Sequence, residues 1–547
     1  MSYWYNALIV GLFSAPAAAQ TWTPPAPVTT VLPTAQPAAF EAHVRYLADD
    51  RLRGRLPGTP GYQLAVDYVT AQFKKNGVLP AGEQGGYTQK VRLRRAFVEP
   101  GAALSYQPAS GPAQPLAYGP AATVYPNPGQ PEVRLDNAPL VFAGYGISAP
   151  ELKYDDYAGL DARGKIVVVT RQPLRQFGDN ERQYFSDLRT VLETAARHGA
   201  VGVLLAAARP DMHLADFPKG VVSALGPEGQ VAVSRSYAPG SVQLVGSVRA
   251  ATLQQLFGGA ATDTTRTLAA LRSGKTASQT LLGSFSAQYR SRYQDVESYN
   301  VVGKITGSDP ILKNEYVVHS AHLDHLGVGA PIGGDSIYNG AHDNATGVAS
   351  VLEISKLYAS LRQKPRRSVL FVLMTGEEMG LLGSAYFARL PTVPQAALVA
   401  DINTDMPTII APLLGVVPLG ADHSSLLKEV RTAADYLKLT VEPDPEPAQH
   451  RFIRSDQYSF VVQGVPALHI KYGNRTADGQ NNLSATVQQW RAATYHKPQD
   501  NVDGGTFDWA AGAQYARLNF LIGYQVAQAV RRPSWNKSDF FGRRFGK

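Results

Sequence analysis

The chain has 547 residues, 44% of them apolar and 18% charged, and a formal net charge of +8. That length exceeds one ordinary domain, and the balance is that of a folded protein, which excludes a disordered or fibrous one. The basic residues are scattered, with the densest group, Arg543-Arg544 and Lys547, at the extreme C-terminus, so the charge argues for solubility and against nucleic-acid partners. Zero cysteines exclude thiol catalysis and thiolate metal ligands.

Residues 1–19 read as an export signal. Ala7 to Phe13 is a short apolar core and Ala17-Ala18-Ala19 a small-residue cleavage site, although the preceding residues carry no Lys or Arg. The apolar stretch is too short for a stable membrane span, and an exported, periplasmic or secreted protein is expected. Residues 20–37, rich in Pro, Ala and Thr, read as a flexible leader. Helices are expected over Phe40 to Asp49 and after Gly58-Thr59-Pro60, where Ala65, Tyr68, Val69 and Phe73 share one face. From Val91 to about Leu135 short strands alternate with Gly and Pro.

A different unit is expected over 139–279. Strands at Leu140 to Gly146, Ile166 to Val169 and Val201 to Leu205 enclose a helix over Tyr184 to His198, with no cluster of acids or histidines suited to chemistry. Gly159 to Gly164-Lys165 has phosphate-loop spacing, but Ile166 replaces the needed hydroxyl and the segment precedes a strand, so it reads as a turn.

After Val301 apolar strands alternate with helices. Strands lead into His322, Glu377 and Asp405, and a last one spans Ala467 to Ile470. Helices fill Ala345 to Leu361, Leu381 to Leu390, Ser424 to Leu437 and Trp509 to Val530. This pattern predicts an α/β fold, a mainly parallel doubly wound sheet with helices on both faces. Ligands gather beyond the carboxyl ends of such strands, where these side chains fall.

Singly, a His-x-Asp pair or two adjacent glutamates is an ordinary surface feature. Jointly, His322, Asp343, Glu378, Asp405 and His496 make a candidate ligand set in which Asp343 serves two divalent cations, leaving Glu377 to take a proton from a water between them. Nitrogen and carboxylate donors without sulfur suit zinc, and also manganese or cobalt. Crowded acids repel unless cations neutralise them.

The motifs Ser320-Ala321-His322-Leu323-Asp324-His325, Gly340-Ala341-His342-Asp343-Asn344, Thr375-Gly376-Glu377-Glu378, Asn403-Thr404-Asp405-Met406 and Tyr495-His496-Lys497-Pro498 resemble the dizinc peptidases that include bacterial leucyl aminopeptidases and glutamate carboxypeptidase II (metallopeptidase clan MH). Leu52-Arg53-Gly54-Arg55 resembles that family's opening segment, and Tyr154 to Leu160 with Gly164-Lys165 resembles an inserted protease-associated (PA) domain. The resemblance implies two Zn2+ per chain. His322 and Asp405 would hold one ion, Glu378 and His496 the other, with Asp343 bridging and its peptide bond to Asn344 cis. It also implies that Asp324 accepts the second ring N–H of His322, that Asp500 does the same for His496, and that Glu377 is the general base.

The expected organisation is therefore a peptidase domain in two pieces, 38–138 and 280–533, around a PA domain at 139–279, with a C-terminal tail at 534–547. The expected activity is removal of N-terminal residues from peptide substrates. A carboxypeptidase or dipeptidase, a glutaminyl cyclase-like enzyme and a non-catalytic receptor-like module remain as alternatives. Residue preference and oligomeric state are left open. His325 and His342 flank ligands without an assigned role, His319 reads as a hydrogen-bonded core histidine, and Arg454 either meets a substrate carboxylate or pairs with Asp456.

Overall fold

The computed structural model describes residues 22–171, 176–209, 211–258 and 260–546. The export-signal reading of 1–19 lies outside them. Among the described residues no helix is long and apolar enough to cross a membrane.

The main sheet is built on four parallel strands, Ser368–Met374, Tyr316–His322, Leu398–Asn403 and Ala467–Tyr472, adjacent in that order. Their continuous apolar runs reflect burial on both faces. Val317, Ala321, Phe371 and Ile402 pack with the helices Pro37–Leu47, Pro60–Lys75, Thr346–Ser360 and Trp509–Gln528, while Val318, Leu370, Val372 and Met374 pack on the other face with Phe387 and Phe460. An antiparallel strand flanks each end, Ile305 side and Gly415–Leu419. The expected doubly wound α/β class is what the structure has.

A second sheet carries Ala103–Gln107, Glu132–Phe142, Ile166–Thr170, Gly202–Ala206, Leu244–Val248 and Ala122–Val124. One 27-residue strand, Gln279–Ile305, belongs to both sheets: Gln279 to Arg290 pairs with Glu132–Phe142, Ser291 to Val301 with Thr88–Val98, and Val301 to Ile305 with Ser368–Met374. The boundary expected at 139 falls inside a strand of the second sheet, which already begins at Ala103. Alternating apolar and polar residues through 103–138 specify strands, but not which of two sheets they join.

Three other expectations change. The segment expected as a flexible leader forms a helix, Ala26–Val31, that buries Val28 and Val31 in the main core; Lys356 and Arg517 donate to the carbonyls of Thr34 and Leu32 behind it. The expected helix Tyr184 to His198 is two, Asp179–Ser186 and Leu188–Arg197, broken where Asp187 turns extended and caps the second by accepting from Arg189 N. The C-terminal tail ends in a helix, Phe540–Phe545, that buries Phe540 against Tyr184 of the second body and Phe541 against Phe452 of the first.

Candidate metal centre

Three of the four parallel strands deliver candidate residues at their carboxyl ends. His322 closes Tyr316–His322, Glu377 and Glu378 follow Ser368–Met374, and Asp405 follows Leu398–Asn403. Asp343 sits in the turn before helix Thr346–Ser360. That turn opens on Gly340 at φ +61°, where an added Cβ would lie 2.1 Å from the Asp343 carbonyl. The Asp343–Asn344 peptide is cis, as expected. His496 arrives two residues after helix Leu483–Thr494, an element absent from the sequence reading.

The five converge. His322 Nε2 lies 3.2 Å from Asp343 Oδ1 and 3.4 Å from Asp405 Oδ1, and His496 Nε2 lies 3.3 Å from Asp343 Oδ2 and 3.2 Å from Glu378 Oε2. Asp343 thus turns one carboxylate oxygen to each group. The two ring nitrogens are buried yet make no hydrogen bond, and a buried polar atom without a partner is rare. Bonds of about 2.0–2.1 Å at a tetrahedral angle hold two ligand atoms roughly 3.3 Å apart. The separations and the donor chemistry fit two zinc ions.

His325, given no role above, is fully buried, with Nδ1 2.8 Å from Glu378 Oε1. It also forms a possible ligand group with Asp343 and Glu378. The 2.8 Å contact is short for two ligands of one tetrahedral ion, yet both His325 ring nitrogens and Glu378 Oε1 are buried without a hydrogen bond, like the nitrogens of His322 and His496. The sequence signal for it was only adjacency to Asp324.

The supporting contacts differ from expectation at two acids. His322 Nδ1 faces the main-chain carbonyl of Asp324 at 3.2 Å, and the Asp324 carboxylate is 3.9 Å away. That carboxylate instead accepts from the backbone N–H groups of Glu377, at 3.1 Å, and Glu378, at 3.4 Å. Asp500 accepts from the N–H groups of His342 and Asp343, not from His496. Both acids thus pin ligand-bearing backbone, Asp324 that of Glu377 and Glu378 and Asp500 that of Asp343. Ser455 donates to Asp405 Oδ2 at 2.7 Å, and Asn344 accepts from Gly347 and Met406 while donating to Thr404 O.

Arg55 was missed as a site residue. It is 1% exposed, and its guanidinium donates to the carbonyls of Leu323, Asn339, Gly340 and Leu47. One N-terminal side chain thereby fixes the loops of His322 and Asp343. No sequence signal separates it from the neighbouring Arg51 and Arg53.

Burial holds the Glu377 carboxyl well above its usual range; the nearby His322 opposes this, while Glu378 and Asp405 reinforce it. Burial likewise lifts Asp324 to about 7. The remaining candidates are structural. His319 contacts Tyr358 Oη at 3.3 Å in the core, and His342 stacks on Phe507. Arg454 does not pair with Asp456, which is buried without a partner; its Nη1 reaches Gln449 O at 3.4 Å. A cavity of about 410 Å3 leads from Glu377 and Glu378 past Tyr458 and Tyr495 to Tyr184, Arg189 and Arg235 of the second body.

Residues 300–521, which carry all five ligand candidates and Glu377, match the sequence profile of peptidase family M28. That stretch of the chain is similar to M28 peptidase domains. Over 220 residues it is 28% identical to carboxypeptidase Q of Rattus norvegicus, covering 37% of this chain and 42% of that protein. Over 222 residues it is 27% identical to a probable leucine aminopeptidase 2 of Aspergillus fumigatus, covering 39% and 41%. The chain thus spans about two fifths of the length of these curated relatives. Among solved structures, an aminopeptidase from Aneurinibacillus sp. strain AM-1 aligns over 91% of this chain and 95% of its own, at 17% identity and a TM-score of 0.47.

Proposed function

We propose that the protein is an exported metallopeptidase that binds two zinc ions and removes N-terminal residues from peptides. The observation that carries this reading is Asp343, whose two oxygens face two separate imidazole–carboxylate groups, with Glu377 alongside and uncommitted to either. His322 and Asp405 would hold one ion and Glu378 and His496 the other. Zinc bound there supplies Lewis-acid polarisation of the peptide carbonyl and acidifies water.

The chain's own groups do the rest. Glu377, uncommitted to either ligand group, takes a proton from the attacking water on a carboxylate oxygen and hands it to the departing nitrogen. Asp324 holds the Glu377 and Glu378 N–H groups, fixing the angle from which that carboxylate works. Tyr458 and Tyr495 wall the approach. The names of the relatives, leucine aminopeptidase and carboxypeptidase, support a terminal-residue peptidase. We read the second body as a protease-associated domain that narrows the cleft to short, terminal segments.

The test is Glu377→Gln in full-length, zinc-loaded protein, assayed on free and N-blocked peptides. The variant keeps two zinc ions and loses turnover by about 10^4-fold, the upper scale of acid–base catalysis. Near-normal activity in that variant would remove Glu377 from its role. Faster cleavage of N-blocked than of free peptides would replace the aminopeptidase reading with the carboxypeptidase one.

A further inference from the structure

His325 has a close polar contact and no hydrogen bond. The ring is fully buried and wedged under the turn that carries Asp343: a Cβ at Gly340 would lie 2.6 Å from its Cγ and Cδ2. Other buried histidines beside the site spend a ring nitrogen in the ordinary way, His319 on Tyr358 Oη and His342 on the Thr506 carbonyl. Among the described residues neither nitrogen of His325 finds such a partner, and buried polar atoms of that kind are rare.

The contact with Glu378 does not fill the gap. Nδ1 stands 2.8 Å from Glu378 Oε1, a distance at which a ring N–H aimed at the oxygen would be a normal hydrogen bond. Neither atom makes one, so the oxygen lies to the side of the axis along which Nδ1 donates. Ligation produces that misalignment, because two atoms bound to one ion aim at the ion and not at each other. With bonds of about 2.0–2.1 Å, a tetrahedral angle separates them by roughly 3.3 Å and a right angle by about 2.8–3.0 Å. The contacts of His322 and His496 show the first spacing. His325 shows the second, which belongs to an ion with five or six ligand atoms. Asp343 completes the group, with one ligand atom from each of the three residues within 4.8 Å of the others.

We infer that His325 is a sixth ligand residue, binding through Nδ1 the ion that Asp343, Glu378 and His496 surround. The inference rests on the two-ion reading and makes the pair unequal. The group of His322, Asp343 and Asp405 offers three facing atoms. The other group adds a second imidazole, so its ion keeps fewer positions for water or substrate than its neighbour.

The test is zinc X-ray absorption and chelator competition on full-length, zinc-loaded protein and on His325→Asn. The Asn amide has N–H donors that can replace a hydrogen bond to Glu378 but not an imidazole ligand. Unmodified protein should show three imidazoles for every two zinc ions, and His325→Asn two. The variant should bind its weaker ion more than 100-fold less tightly, beyond the 10–100-fold that a supporting contact costs. Unfolding of the metal-free variant checks that its fold is kept; if it is not, the imidazole count in unmodified protein decides alone. Two imidazoles per two ions in unmodified protein overturn the assignment. So does a folded His325→Asn whose affinity falls by 100-fold or less, which would make His325 a supporting residue. Uptake of fewer than two ions by unmodified protein sinks the two-ion reading and this inference with it, whereas two ions with equal imidazole counts in both proteins sink the inference alone.

Discussion

Replacing Arg55 by methionine keeps the length and apolar stem of the side chain and removes its five donors. The guanidinium now serves four carbonyls, those of Leu47, Leu323, Asn339 and Gly340, all away from water. A buried carbonyl left unpaired costs about 1–3 kcal/mol. Losing four would therefore cost about 4–12 kcal/mol if nothing relaxed. Relief from burying a charge, which already pulls Arg55 down to about 10, offsets part of it. The expected net loss is about 3–5 kcal/mol, the range for breaking a buried charged contact. Leu323 follows one metal ligand and Gly340 opens the turn of another, so zinc affinity should fall by about 10–100-fold, as for other groups that orient ligands. Chemical unfolding of the metal-free protein and chelator competition on the loaded one measure the two effects. Arg55→Lys, with three donors and a shorter reach, should fall between. Wild-type zinc affinity in Arg55→Met would refute the claim that this residue holds the ligand loops, whatever happened to stability.

Asp343→Ala removes the shared carboxylate, so zinc measured by mass spectrometry or atomic absorption should drop from two ions towards none, whereas Asp405→Ala should spare the second; equal losses would disprove bridging. Asp156, buried beneath Tyr145 and Tyr154, accepts from the N–H groups of Tyr145 and Ile147 and is lifted by burial from 3.8 to about 7. The folded form thus holds its proton more tightly than the unfolded chain. That stabilisation is complete below about pH 4 and is lost as pH rises to 7, worth up to about 4 kcal/mol. Asp156→Asn should flatten this slope in thermal unfolding between pH 4.5 and 7.5, and parallel curves for the two proteins would reject it. Ending the chain after residue 533 exposes the seats of Phe540 and Phe541, each worth about 1.5–3 kcal/mol when buried; the shortened protein should unfold at lower temperature, and an unchanged midpoint would show that the terminal helix is not holding the two bodies.

The ligand strands were legible because each is a mostly apolar run that ends in polar residues, most clearly at Met374-Thr375-Gly376-Glu377. Such runs specify burial on both faces and so a parallel sheet. Polar networks were less legible. Asp324, Asp500 and Arg55 all bond to groups that only the finished fold brings near, and no spacing encodes that Arg55 reaches Leu323 O, 268 positions away. Strand Gly415–Leu419 was overlooked because it is short and holds Pro418, tolerated at an antiparallel margin but discouraging elsewhere. The Pro-rich leader misled for the opposite reason: its composition suits disorder, but Val28 and Val31 find a core that the rest of the chain provides.

The strand Gln279–Ile305 has a mechanical consequence. Two lobes joined by slack loops can swing like a gate, and the gap between them is then set by whatever occupies it. Here one strand passes from one lobe into the other, paired along both apart from two register shifts between Leu281 and Ala287, and the helix Phe540–Phe545 braces the far side. The beam can flex and twist only within what its ladder tolerates. Entry to the cleft must then follow small elastic deformations, and its width is built into the scaffold before any peptide arrives.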